Sequence, residues 1–578
     1  MASRALASIS SGAVVFVSAA AVFWSAARLD PEPYHDGAQV APAIAASSGM
    51  ALQREVFNAY GPITAWLHGA AMVAFGETVL TARLVSAFIL ILCALLLYSI
   101  VRALRQPLWM ATLASVLWVL MWPGGAIIWG TPLLPWPSVT FLFFQLSAVR
   151  LLLSRLQSTQ SRPLLMFSIG VLVALGVFTR PNYGVPLLAA TAVAVVWLRA
   201  SLNIRASEYA LLSLGTAFGI ALPAGALLLS DAFVPYLDQA IVGPLTGESD
   251  ATSNITSWFY FENAYLWASL PMILILIILI LIGRARERPS WLLPTVTIGA
   301  VASLTVWASS ALDGSPIREL ILSRLTWAPA LDAQISQPLF VSAILTVQIS
   351  ISLFLVMAYL IFRNRAQIQN ADFNVAAMLV LGLSAAASLA QLFPIADPNH
   401  LWWAAPLPLA LVFFMFRFAP DRQTQNSLVA VFITATLILA PLSLLRYYSI
   451  PRIELKEGVL DGMWLSEDRY DSYVAVNDWF AELQPASAEF SCEQGLFAVW
   501  TGEYLADTPS FVNWAHRMDS AETGDPSGRV FRCTYPYDSL SPEEFAEQRG
   551  LRIVRTIPSA SLSYFSTVRI DEMVPKEQ

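Results

Sequence analysis

The sequence predicts a polytopic α-helical membrane protein with a small extracytoplasmic α/β domain at its C-terminal end. Three observations predict it. Of 578 residues, 57% are hydrophobic and only 13% charged, with a mean hydropathy of +0.61. Soluble domains carry about 25% charged residues, so an ordinary cytosolic enzyme and a disordered chain are both excluded. Apolar runs long enough to cross ~30 Å of hydrocarbon recur along the first 445 residues. Charge is also unevenly divided: residues 451–578 hold 11 Lys+Arg and 22 Asp+Glu, whereas residues 1–450 hold 22 and 18. The net charge of −7 also excludes nucleic acid as a partner, because phosphate binding needs a basic surface.

Thirteen spans are expected: Leu6–Ala27, Leu84–Val101, Leu108–Trp122, Ser138–Leu153, Leu164–Phe178, Val185–Leu198, Tyr209–Ser230, Leu266–Ile282, Leu292–Ser310, Leu339–Phe362, Phe373–Phe393, Leu401–Phe416 and Leu428–Leu445. The third to sixth fall short of the ~20 residues of a perpendicular span, so either pair can be re-entrant. Orientation follows from the arginines. With the N-terminus inside, alternate connections carry 15 arginines against four acids (Glu208, Glu287, Asp372, Asp421). The opposite side has the other seven arginines of residues 1–450 and 14 acids. The positive-inside rule therefore puts the N-terminus in the cytoplasm and residues 446–578 outside. The first run ends in small residues, Ser25-Ala26-Ala27, as a cleaved signal peptide would, but its full-span length favours a retained anchor.

The sequence thus divides into a membrane domain, 1–445, with a first outer loop at 28–83, and an outer domain, 446–578. In the outer domain Tyr473–Leu483 reads as helical and Leu551–Ile557 as a strand. Cys93 lies within a span, as packing. Cys492 and Cys533 share the outer domain, where an oxidising compartment permits a disulfide between them. Arginine outnumbers lysine 31 to 2, which points to a GC-rich bacterial genome, and the expected location is a bacterial plasma (inner) membrane.

Polar groups gathered at the outer face are the candidates for chemistry. The first outer loop supplies Asp30, Glu32, His35 and Asp36 within seven positions, followed by Gly37, where the chain can turn tightly. Glu55 and the segment Asn58-Ala59-Tyr60-Gly61-Pro62 follow, and Ile63–Phe75 has the apolar period of a helix lying along the interface. Such acids can simply face water; packed at the mouth of a span, they can also supply a general base or hold a divalent cation. A second cluster reads Asp397-Pro398-Asn399-His400-Leu401-Trp402-Trp403. Its tryptophans suit an interfacial belt, or stacking on sugar rings with Asp397, Asn399 and His400 bonding hydroxyls. The third is Thr179-Arg180-Pro181-Asn182-Tyr183. An arginine on the side depleted of them can snorkel to the interface, or can bind a phosphate with two guanidinium hydrogen bonds.

The first loop and the span after it resemble the GT-C superfamily of membrane glycosyltransferases, which includes protein O-mannosyltransferases and aminoarabinose transferases. The resemblance rests on the acids and His35 after the first span and on Arg54-Glu55-Val56-Phe57-Asn58-Ala59-Tyr60-Gly61-Pro62. Phe75-Gly76-Glu77, Ala82-Arg83-Leu84 and Phe178-Thr179-Arg180-Pro181 add to it. It covers the architecture of the chain, but its motifs fall only in residues 28–105 and around 180. The resemblance implies transfer of a hexose or pentose from a polyprenyl-phosphate donor to a glycan, lipid or protein acceptor of the cell envelope, with inversion. It also implies Asp36 as the catalytic carboxylate, Glu55 as the second acid, Arg180 on the phosphate, and a divalent cation as an optional aid. Two departures stand out. Relatives often have adjacent Asp-Glu where Pro31 here separates Asp30 from Glu32, and Pro-Pro where this chain has Gly61-Pro62. The base therefore stands between Asp36 and Glu32. The competing classes are a transporter or flippase and a non-catalytic scaffold; the absence of repeats and of mid-span acids weighs against transport.

Overall fold

The computed structural model describes residues 2–122, 133–158, 160–197, 204–242, 373–392, 398–415, 448, 451–456, 458–467, 470–471, 473–474, 489–491, 530–534, 541–560 and 568–576. The four expected spans Leu266–Ile282, Leu292–Ser310, Leu339–Phe362 and Leu428–Leu445 lie outside these residues, as do Asp397, Cys492 and His516.

The first seven expected spans are helical. They are α1 (Ala2–Ala26), α4 (Val79–Ala103), α5 (Leu108–Leu120), α6 (Pro137–Leu156), α7 (Pro163–Thr179), α8 (Pro181–Trp197) and α9 (Ala206–Leu229). Two more helices, α2 (Pro33–Ser47) and α3 (Pro62–Phe75), fold within the loop between α1 and α4. A short α10 (Phe233–Leu237) runs into a π-helical turn, Asp238–Val242. Further on, α11 (Phe373–Ser388) tightens into a 3₁₀ turn, Leu389–Leu392. The expected span 401–416 is instead two pieces, α12 (Pro398–Ala404) and α13 (Pro406–Met415). Pro406 has no N–H to continue the first piece.

Among the described residues, five helical segments are long and apolar enough to cross a bilayer: Leu6–Ala26, Val79–Ala103, Pro137–Leu156, Ala206–Leu229 and Phe373–Gln391. Proline at the first helical position opens α2, α3, α6 and α7. There its missing N–H costs nothing and its fixed φ favours the helix. Pro181 breaks α7 from α8 by holding Arg180 extended, at φ −145° and ψ 99°. That break is what turns Arg180 away from a helix surface.

The central α4 packs against α1, α5 and α6 and buries Leu90, Cys93, Ala94 and Leu97 completely. The α7–α9 pair is close because both helices are notched. A Cβ on Gly215 would stand 2.1 Å from the Phe167 carbonyl oxygen, and one on Gly170 2.3 Å from that of Leu212. On the side read as cytoplasmic, Arg155 clasps Glu208 at 2.7 and 3.0 Å, tying α6 to α9.

Beyond the helices, β1 (Arg452–Glu454) and β2 (Trp464–Ser466) form an antiparallel pair. A four-stranded sheet follows in the order β3 (Glu489–Ser491), β4 (Val530–Thr534), β6 (Val568–Pro575), β5 (Leu551–Ala560). Its β3–β4 pairing is parallel and the others antiparallel. α14 (Pro542–Gln548), capped by Ser541, covers it, with Ala546 against Val530, Leu551 and Met573. The strand expected from Leu551 is therefore present. Only residues 473 and 474 of the expected helix Tyr473–Leu483 are described. Cys93 is buried and free, and Cys533 sits in β4 opposite Ile570.

Candidate active site

The loop-one acids do not lie in an irregular turn. They build the start of α2. Glu32 is its N-cap (φ −116°, ψ 93°), and its carboxylate accepts the His35 N–H at 2.5 Å. Gly37, expected to turn the chain, is buried inside this helix. The reason is the cap: Glu32 satisfies an orphan donor and Pro33 presets the first turn, so helix begins before the glycine is reached. The same Glu32 oxygen meets His35 Nδ1 at 2.8 Å. Asp36 reaches back to accept the Glu32 N–H at 2.7 Å.

Glu32 and Asp36 are fully buried, and His35 keeps 17% of its side chain exposed. Asp36 is matched by a cation that came 47 residues later: Arg83, also fully buried, donates Nε to Asp36 Oδ1 at 2.8 Å and Nη2 to Oδ2. Arg83 further donates to the carbonyls of Leu29 (2.8 Å) and Asp30 (3.3 Å). Burial, the larger effect, raises the Asp36 carboxyl above its ordinary range, while Arg83 pulls it down.

An aromatic path leads from His35 to Arg180. The His35 ring lies 5.8 Å from Trp136, and Tyr60 meets the same indole edge-on at 5.7 Å. The Arg180 guanidinium carbon stands 4.8 Å from the Tyr60 ring centre and 4.0 Å from that of Tyr183. Its Nη1 donates to Ser138 Oγ at 2.5 Å, on the first turn of α6. Arg180 Nε and Trp136 Nε1 are buried and have no partner among the described residues. The guanidinium thus sits at the positive end of a 20-residue helix whose N-cap residue is Trp136.

Gly61 explains the departure from Pro-Pro. Its N–H donates to the Thr179 carbonyl at 3.2 Å, and a Cβ there would fall 1.6 Å from the Phe178 carbonyl oxygen. Only glycine lets the Tyr60 turn dock on the α7–α8 break. The turn is fixed from the other side by Gln239 of the π-helical turn, which bonds Asn58 N (3.1 Å) and the Gln53 carbonyl (2.7 Å).

The other expected site residues fare differently. Asp30 is buried with a left-handed φ of 46°, and Arg452 donates to its Oδ2 at 2.6 and 3.0 Å. Glu55 is surface-exposed, bonded to Ala51 N and Arg54, and the Ala51 N–H holds its carboxyl below the ordinary range. Asn182 is exposed at the start of α8. Asn399 and His400 are mostly buried, with His400 edge-on to Trp403 at 5.1 Å. That cluster adjoins the Arg180 group through Gln391, whose carbonyl accepts from Tyr183 Oη (3.2 Å) and whose side chain donates to the Trp403 carbonyl (3.3 Å).

Trp402 is neither a belt residue nor a free stacking face. It is 4% exposed and stacks on Trp118 at 5.0 Å, the two indoles donating to each other's backbone carbonyls, with Phe23 at 5.7 Å. Its partner lies 284 residues away, which no local pattern announces. Trp136 and Ser138 were not singled out from the sequence, and Arg83 and Tyr183 stood there only inside quoted segments, with no role assigned. The usable signals were an arginine at the outer end of a span and a Trp-Pro pair opening a helix.

The described residues do not fit a divalent cation. No three His, Cys, Asp or Glu side chains among them converge on one point, and the three buried loop-one carboxylates, Asp30, Glu32 and Asp36, already serve Arg452, His35 and Arg83.

Fold and site together define a helical membrane protein in which the segment after the first helix carries a carboxylate–histidine pair joined through Trp136 and Tyr60 to a buried arginine. No protein-family model and no curated protein matches this sequence. Among solved structures the chain is similar to the Archaeoglobus fulgidus oligosaccharyltransferase in its apo form, with TM-score 0.44, 13% identity, and 88% of this chain and 65% of that one covered. It is also similar to the same organism's AglB in complex with an inhibitory peptide and a dolichol-phosphate (TM-score 0.40, 12% identity, 82% and 58% covered). ArnT from Cupriavidus metallidurans bound to undecaprenyl phosphate gives TM-score 0.40 and 14% identity, with 100% and 99% covered. Both proteins are GT-C superfamily members. The chain spans less than two thirds of the archaeal proteins' length. At these scores the likeness carries no argument about chemistry, which rests on the residues themselves.

Proposed function

We propose that this protein is a GT-C-type glycosyltransferase of a bacterial plasma membrane. It moves a hexose or pentose from a polyprenyl-phosphate carrier to an acceptor on the extracytoplasmic face, in assembly of an envelope glycan, glycolipid or glycoprotein. The observation that carries the reading is the Glu32–His35 pair, linked through Trp136 and Tyr60 to the buried Arg180.

The donor phosphate sits against Arg180 Nε, Trp136 Nε1 and the α6 N-terminus, where its charge grows as the glycosidic bond breaks. The leaving phosphate needs no proton. The acceptor hydroxyl does lose one. Glu32 on Nδ1 holds the ring in the tautomer whose Nε2 is a base, as the carboxylate of a triad does. The new C–O bond forms at the anomeric carbon as the C–O bond to phosphate breaks, with the electron pair leaving on the phosphate and the proton passing to His35 Nε2. The transition state is oxocarbenium-like and a single displacement inverts the configuration. Between the two candidate bases, Asp36 has both oxygens engaged by Arg83, so its role is to hold the loop, and Glu32 works through His35. Asn182, Asn399 and His400 are assigned to bonding sugar and acceptor hydroxyls.

The test is transfer in membranes supplied with labelled polyprenyl-phosphate sugars. General base catalysis is worth ~10²–10⁴-fold. Glu32→Gln and His35→Asn should each lower kcat by about 10²-fold or more, while Arg180→Met should chiefly raise KM for the donor. Near-wild-type transfer by both loop-one variants would overturn the assignment.

A further inference from the structure

The β1–β2 hairpin begins the acidic outer segment, yet it docks on the first loop. The Asp30 N–H donates to the Trp464 carbonyl at 2.7 Å, and the Trp464 N–H donates to the Arg28 carbonyl at 2.6 Å. Residues 28–30 thus lie beside β2 as a third, parallel strip, bridged Leu29 to Trp464. From β1, Arg452 reaches over with Nε and Nη2 on Asp30 Oδ2, both side chains almost wholly buried. An independent outer domain would need no such tie, since few contacts usually cross a domain boundary.

What is held is informative. Asp30 has φ 46°, a left-handed conformation that non-glycine residues rarely adopt without support. Only Pro31, with its ring-locked φ, separates Asp30 from Glu32. The twist at Asp30 therefore sets the direction in which Glu32 enters α2 and presents its carboxylate to His35. Arg83 grips the same short stretch from the other side, through the Leu29 and Asp30 carbonyls.

We infer that Arg452 is a positioning residue: its ion pair with Asp30 latches the outer hairpin onto loop one and sets the aim of the Glu32–His35 pair. This rests on the transferase reading for its catalytic consequence, but not for its structural one. Arg452 touches no reacting group and acts through Asp30 and Glu32.

The test uses the full chain in detergent, with Arg452→Met and Arg452→Lys. Hydrogen exchange should accelerate at least tenfold at the Asp30 and Asp36 amides of Arg452→Met, with α4 amides unchanged, and Arg452→Lys should restore part of the protection. In the transfer assay Arg452→Met should lose about tenfold or more in kcat, with KM for the donor within about twofold. Unchanged exchange at Asp30 overturns the latch, as does a folded Arg452→Met with wild-type kcat. If the wild type transfers no sugar while the loop amides still lose protection, the transferase reading falls and the latch stands.

Discussion

Replacing Arg83 by methionine removes the one cation that answers Asp36 among the described residues. Both partners are fully buried, so the variant leaves a carboxylate with no counter-charge in a site that water does not reach. Breaking a buried ion pair from one side costs about 3–5 kcal/mol. The bonds to the Leu29 and Asp30 carbonyls go too, at about 1 kcal/mol each. Arg83→Met should therefore lose on the order of 5–7 kcal/mol at neutral pH. The sign with pH is definite. Burial already raises Asp36, and loss of Arg83 raises it further. The penalty is thus largest while the carboxylate stays ionised and shrinks as falling pH protonates it. Detergent-solubilised protein titrated with SDS at neutral and mildly acidic pH reads both effects. Arg83→Met/Asp36→Leu, which removes the stranded charge, should recover most of the loss. A deficit under about 1 kcal/mol, or a double variant no better than the single, would refute the buried pair.

Two further changes probe the site's frame. Gly61→Ala puts a methyl group 1.6 Å from the Phe178 carbonyl oxygen, so the Tyr60 turn must retreat by more than an ångström. Transfer should fall about 10²-fold at normal expression, and activity within about threefold of wild type would contradict the docking. His68 is fully buried on α3 with its pKa pushed down to about 4 by burial. A histidine held neutral stabilises the fold above its unfolded pKa and loses that contribution as pH falls. About 3 kcal/mol should disappear between pH ~6.5 and ~4. SDS-unfolding profiles should show that slope in the wild type and lack it in His68→Gln.

Much of this site was legible locally and its wiring was not. Proline-opened helices, the α3 periodicity and an arginine on the wrong side for its charge can all be read over a few residues. Arg180 was found that way. The α2 helix escaped because its cap is glutamate, a rare choice, and because Gly37 argued for a turn. Asp36 read as a free acid because its partner is 47 residues on, and Trp402 as a surface ring because its partner is Trp118. Burial turns on such long-range pairs, and a one-dimensional pattern holds no record of which face a neighbour will cover.

The hairpin's grip on residues 28–30 also orders events in time. Loop one leaves the ribosome early, behind the first helix, and under the expected topology it crosses the membrane long before its partner exists. Arg452 follows Asp30 by 422 residues, so the left-handed turn before Glu32 has no hairpin to hold it through most of synthesis. A nascent or truncated chain can complete its α4 core and still have a slack first loop. Under the transferase reading proposed above, the Glu32–His35 pair is then aimed only once a hairpin made 422 residues after Asp30 has docked on loop one.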